Sequence, residues 1–148
     1  MGGVDDRQTS RDAVIPGSWR EFYAATGIPA AVRSGGVLRL TGHTGDMPDG
    51  TFSNDPEAQT RQTFRNVALT LSEAGLQWSD VVEITTYRVG LRAQADIVLR
   101  VAAEFLDMPY PAWTDVGITE LFEPDALFEM SCVAVARQED AQISEPAP

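Results

Sequence analysis

The chain has 148 residues, with 22 Asp plus Glu against 11 cations, all of them arginine, and a formal net charge of −11. It has no lysine, one His and one Cys, which excludes a Schiff-base or phosphate-loop lysine, a Cys/His zinc site and an internal disulfide. Its acidity sets phosphate backbones and anionic membrane surfaces against it, so neither nucleic acid nor a membrane is an expected partner.

One domain is expected at this length, burying roughly 68–70% of its unfolded surface. Residues 1–14 and 138–148 read as flexible acidic tails around a single domain over 15–137. Residues 19–25 (WREFYAA) read as a helical turn or loop that docks before the first strand. Residues 37–43 (VLRLTGH) alternate as a strand, with Val37, Arg39, Thr41 and His43 on one face and Leu38, Leu40 and Gly42 on the other. Residues 45–54 carry turn chemistry throughout. Asp55 then reads as an N-cap with Pro56 in the first helical position, and Phe64, Val67, Ala68 and Leu71 keep helical spacing until Gly75 closes the helix.

Residues 81–89 (VVEITTYRV), rich in β-branched side chains, predict a strand. A second helix spans 93–106, with Ile97, Val101 and Phe105 on one stripe, and Pro109 and Pro111 stop it. Strands over 112–119 and 127–136, separated by the turn Glu123-Pro124-Asp125, complete the chain. This order predicts an α+β fold, a mixed sheet with both helices on one face. The other face is left partly apolar and uncovered, which implies oligomerisation. No run of 18 apolar residues marks a transmembrane helix. The absence of a basic-then-apolar leader, with the lone Cys132, favours the cytoplasm.

Several stretches, in order, resemble the RidA/YjgF family of reactive-intermediate deaminases over about residues 31–137. They are residues 37–43, residues 57–62 (EAQTRQ), Asn66, Ala74-Gly75-Leu76, residues 80–86 (DVVEITT), residues 111–114 (PAWT) and residues 127–130 (LFEM). The resemblance implies a chorismate-mutase-like fold: a homotrimer whose sheets form a central barrel, with ligand pockets in the clefts between subunits. It also implies hydrolysis of enamines and imines such as 2-aminoacrylate, without metal or cofactor. The family's substrate-binding arginine, in a Pro-Ala-Arg-Ser/Thr motif, corresponds to Trp113, its water-positioning glutamate to Glu129, and its frequent tyrosine falls near Ile28 or Pro29. Trp113 offers one N–H and an aromatic face where arginine would offer a charged fork, so a small carboxylate loses a contact worth roughly 1.5–3 kcal/mol.

Period-2 alternation puts Trp113, Asp115 and Gly117 on one face of their strand, and Glu129 with Ser131 on one face of the last. If Trp113 takes the arginine's place, Asp115 points to the pocket too, and Glu129 on the neighbouring strand converges with it as a catalytic acid/base pair with one pKa driven upward. Trp113, Thr41, Gly42, His43 and Tyr87 then line the substrate site, which suits a neutral or cationic ligand. Each has a plainer reading. Trp113 fits interface packing, Asp115 a loop cap or an arginine pair, and Glu129 an ion pair with Arg39 or Arg88. His43 reads as a solvent-facing turn residue, Cys132 as an inert core thiol, and Arg88 and Arg92 as surface charge or a displaced carboxylate anchor. The expected function is a Rid-like hydrolase of a small imine or enamine, its substrate choice altered from 2-aminoacrylate. The alternatives are a pathway enzyme performing cyclisation, tautomerisation or hydrolysis on a larger substrate, and a non-catalytic metabolite-binding trimer.

Overall fold

A computed structural model describes residues 11–137, and seven strands there form one mixed sheet. In chain order these are β1 (Asp12–Val14), β2 (Ala31–Ser34), β3 (Val37–Leu40), β4 (His43–Thr44), β5 (Val81–Val89), β6 (Ala112–Ile118) and β7 (Phe128–Val135). Spatially the order is β1-β2-β3-β7-β5-β6, with β4 also paired to β7. Only β5 and β6 run parallel, joined by the crossover that contains a helix. The helices are α1 (Arg20–Thr26), α2 (Pro56–Glu73) and α3 (Ile97–Phe105).

The capping chemistry of α2 is as the sequence predicts. Asp55 accepts from the Glu57 N–H at 3.3 Å, and Pro56 occupies the first turn where no donor is needed. Gly75 adopts φ 74°, letting its own N–H reach the Ser72 carbonyl and the Leu76 N–H reach that of Leu71, a complete Schellman closure. The Arg33 guanidinium binds the Ala74 carbonyl just beyond the helix end. The second helix starts later than its periodicity suggests: residues 91–94 form a 3₁₀ turn, and α3 begins at Ile97.

Helices α2 and α3 cover one sheet face. Phe64 of α2 is fully buried, stacked on Phe105 at 5.1 Å and tilted against Trp78 at 5.4 Å. Leu38, Ile84, Phe128, Met130 and Ala134 meet it from the sheet. The bidentate pair Arg61–Glu104 and the pair Arg100–Glu57 bridge α2 to α3 at the surface. On β7, Phe128, Met130, Cys132 and Ala134 point to the helices, while Glu129, Ser131, Val133 and Val135 point away. That second face is open, as expected, and leaves Val135 exposed.

Two expectations need correction. Asp12–Val14, assigned to the N-terminal tail, pairs with β2 as β1; three residues are too few to carry an alternation signal. The remaining tail residues, 1–10 and 138–148, lie outside the described residues. The strand expected over 37–43 is interrupted at Thr41–Gly42, so His43 turns to the buried side with Leu38 and Leu40.

Candidate functional site

Glu129 stands on the open face of β7, opposite Thr44 of β4 and Tyr87 of β5. Its carboxylate lies directly over Gly42: a Cβ added there would fall 2.6 Å from Glu129 Cδ and 2.9 Å from each oxygen. Glycine at 42 lets the carboxylate keep this position, and a side chain there would push it aside. Among the described residues Glu129 makes no hydrogen bond or ion pair, and its half-burial holds its pKa above the usual carboxylate range.

The carboxylate opens onto a cavity of about 480 Å³. Thr41, Gly42 and Thr44 form the wall beside Glu129. Trp19, Phe22 and Ile28 enter from α1 and its flanks, Asp46 and Phe52 from the loop after β4, and Phe122 and Glu123 from the β6–β7 loop. Polar residues of α2 hold these loops. Asn66 Nδ2 donates to the carbonyls of Thr44 and Asp46, both at 2.9 Å. Gln59 Nε2 donates to the carbonyls of Ser53 and Asp125 at 2.9 and 2.7 Å, while its Oε1 accepts from the Leu127 N–H at 2.9 Å. One side chain thus ties together the two loops that supply Phe52 and Phe122.

His43 lies beneath this wall, 2% exposed, not in a solvent-facing turn. Its Nδ1 is 2.6 Å from the Thr41 carbonyl, which can only accept, so Nδ1 carries the proton and Nε2 accepts from the Thr70 hydroxyl at 2.8 Å. Burial lowers its pKa and keeps the ring neutral. Its ring packs against Trp19 at 4.7 Å, so it supports the cavity from behind.

The rest of the expected site does not converge. Strand β5 lies between β6 and β7, and Trp113 and Asp115 face the helices, on the sheet side opposite Glu129. Trp113 packs against the core near Phe64 and Tyr110, and its Nε1 donates to Thr86 Oγ1 at 3.0 Å. Asp115 accepts from Thr86 at 2.8 Å and from Arg88 Nε and Nη2 at 3.0 and 2.5 Å. Arg88, 3% exposed, also donates to the Gln94 carbonyl at 2.7 Å; it is a buried structural cation, not surface charge. Asp115 therefore does not raise the Glu129 pKa within this chain; burial does. Tyr87 shares the open face with Glu129 without lining the cavity. Cys132 is a buried thiol whose pKa is pushed up to about 12, in keeping with an inert core position.

The sequence model described as Endoribonuclease L-PSP (Ribonuc_L-PSP) matches residues 20–136. The RutC family protein YjgH of Escherichia coli (strain K12) is 36% identical over 125 residues, 84% of this chain and 94% of that protein. The solved structure of protein YJGH superimposes with a TM-score of 0.78 at 33% identity, covering 88% of this chain and 99% of the other. Rv2704 of Mycobacterium tuberculosis, a YjgF/YER057c/UK114 family member, superimposes with a TM-score of 0.73 at 31% identity, covering 86% and 100%. The chain belongs to the RidA/YjgF family.

In this RidA/YjgF chain, Ile28 lines the cavity near the place where the resemblance set the family's tyrosine. Thr41, Gly42 and Glu129 come together as expected. Sequence reasoning missed Trp19, Phe22, Phe52, Phe122, Asp46 and Glu123, which come from α1 and its start and from two loops, far apart in the chain. Their only sequence signal was aromatic residues in regions too polar or too short to form a core.

Proposed function

We propose that the chain is a Rid-like hydrolase of a small imine or enamine, acting at the Glu129 cavity with water as the nucleophile and no metal or cofactor. The observation that carries this reading is a half-buried carboxylate, unpaired among the described residues, at the wall of a ligand-sized cavity. Its raised pKa brings it nearer the operating pH, where a general base is most effective. Glu129 takes a proton from water as the oxygen attacks the imine carbon. It returns a proton to nitrogen as the C–N bond breaks, releasing ammonia and a carbonyl product. An enamine enters the same sequence after protonation at its β-carbon. Asp115 has no part within this cavity, because its oxygens are held by Arg88 and Thr86.

A homotrimer agrees with the open sheet face, which two further copies would cover to place the cavities in clefts between subunits. The net charge of −11 speaks against RNA as substrate, whatever activity the family model's description names. The test uses imines generated in situ, with semicarbazide trapping the imine that remains. The protein should accelerate imine loss, and Glu129→Gln should lower the rate about 10²–10⁴-fold. No acceleration over buffer with acidic, neutral and aromatic imines would remove the proposal.

A further inference from the structure

The walls of the Glu129 cavity have a charge pattern the hydrolase reading does not explain. Asp46 and Glu123 stand at its exposed rim and Glu129 lies half-buried at its wall, yet among the described residues no arginine or histidine lines it. The remaining large side chains are apolar, mostly aromatic, with Trp19, Phe22 and Phe52 beside the aliphatic Ile28. Three carboxylates around a space with π faces repel an anion and attract a cation, and aromatic faces bind an organic cation better than water can once it is desolvated. Trp113, at the position where the family resemblance leads one to expect an arginine, has its one donor spent on Thr86 in the core of the same chain.

We infer that this cavity selects an organic cation with an apolar body and no carboxylate, a protonated amine or the iminium ion derived from it. This deepens the hydrolase reading and rests on it for the chemistry. The reaction is then RCH=NH2+ plus water giving RCHO plus NH4+. One C–O bond forms from water, the C–N bond breaks, and the two water protons end on nitrogen by way of Glu129, with no change of oxidation state. Such a substrate would be supplied by a separate two-electron oxidation of a primary amine, not of an amino acid.

The inference is tested with the full chain and two probes of similar shape, phenethylammonium and 3-phenylpropanoate, titrated by calorimetry. The ammonium ion should bind at least tenfold more tightly, its affinity should fall as salt rises, and Asp46→Asn with Glu123→Gln should narrow the gap. Equal or tighter binding of the carboxylate would overturn the inference, and that comparison needs no variant. A kinetic arm compares the imine made from phenethylamine by an amine oxidase with the imine made from phenylalanine by an amino-acid oxidase. Faster hydrolysis of the carboxylate-bearing imine would overturn the cation preference and leave the hydrolase standing. Cation-selective binding without acceleration of either imine would uphold the inference and remove the hydrolase.

Discussion

At Gly42 an added methyl group would meet the carboxylate end of Glu129, while at Gly45 it would stand 2.3 Å from the Gln59 carbonyl oxygen. The first obstacle is the far end of a side chain and can swing away; the second is helix backbone and cannot. Gly42→Ala should therefore unfold at nearly the wild-type denaturant midpoint but lose imine hydrolysis. Gly45→Ala should lose about 1–3 kcal/mol or more of stability. Chemical denaturation with the activity assay on both variants checks the contrast.

Glu129 and His43 also give opposite pH signatures. The lowered pKa of His43 means the unfolded chain binds its proton first, so this contribution is present above about pH 6.5 and is lost as pH falls below it. The raised pKa of Glu129 works the other way: its contribution is fullest at acid pH and is lost as pH rises through its folded pKa. His43→Gln, which keeps a donor for Thr41 and an acceptor for Thr70, should flatten the acid loss in unfolding curves. Glu129→Gln should be more stable than wild type at pH 7 while inactive, the mark of a residue retained for chemistry.

At the scale of elements, α2 does more than cover the sheet. Its apolar positions form the core, and Gln59 and Asn66 hold the loops that build the cavity. Gln59→Leu would strand two carbonyls and the Leu127 N–H, at about 3 kcal/mol or more in total. Limited proteolysis should then cut first within residues 45–54 or 119–127. The sequence places α2 well, because a cap, a first-turn proline and a Schellman glycine act within a few residues of each other. The roles of Gln59 and Asn66 were not legible, since a polar residue on a helix carries no sign of a partner 66 or 20 residues away. Trp78 Nε1 is a buried donor without a partner among the described residues, so Trp78→Phe, which removes that donor, should cost little although the ring packs partly buried against the core.

At the scale of the whole molecule, the proposed trimer makes stability a function of concentration. Light scattering should give about three times the 16.1 kDa chain mass, and the midpoint of thermal unfolding should rise with protein concentration. Replacing Val135, exposed on the open face, with Asp should dissociate the assembly and lower that midpoint.

Composition, local periodicity and capping chemistry determined the acidic character, the order of strands and helices after residue 37 and the open sheet face, because those signals act between near neighbours in the chain. The ordered resemblance pointed to Glu129, the carboxylate of the proposed reaction. Only the tertiary structure decided that β5 separates β6 from β7 and turns Trp113 and Asp115 to the face opposite Glu129. It also decided that His43 is buried and that three distant segments bring their aromatic side chains around one carboxylate. Strand adjacency and loop convergence are set by contacts between residues far apart in sequence, and period-2 alternation says which residues share a face but not which strand stands beside it.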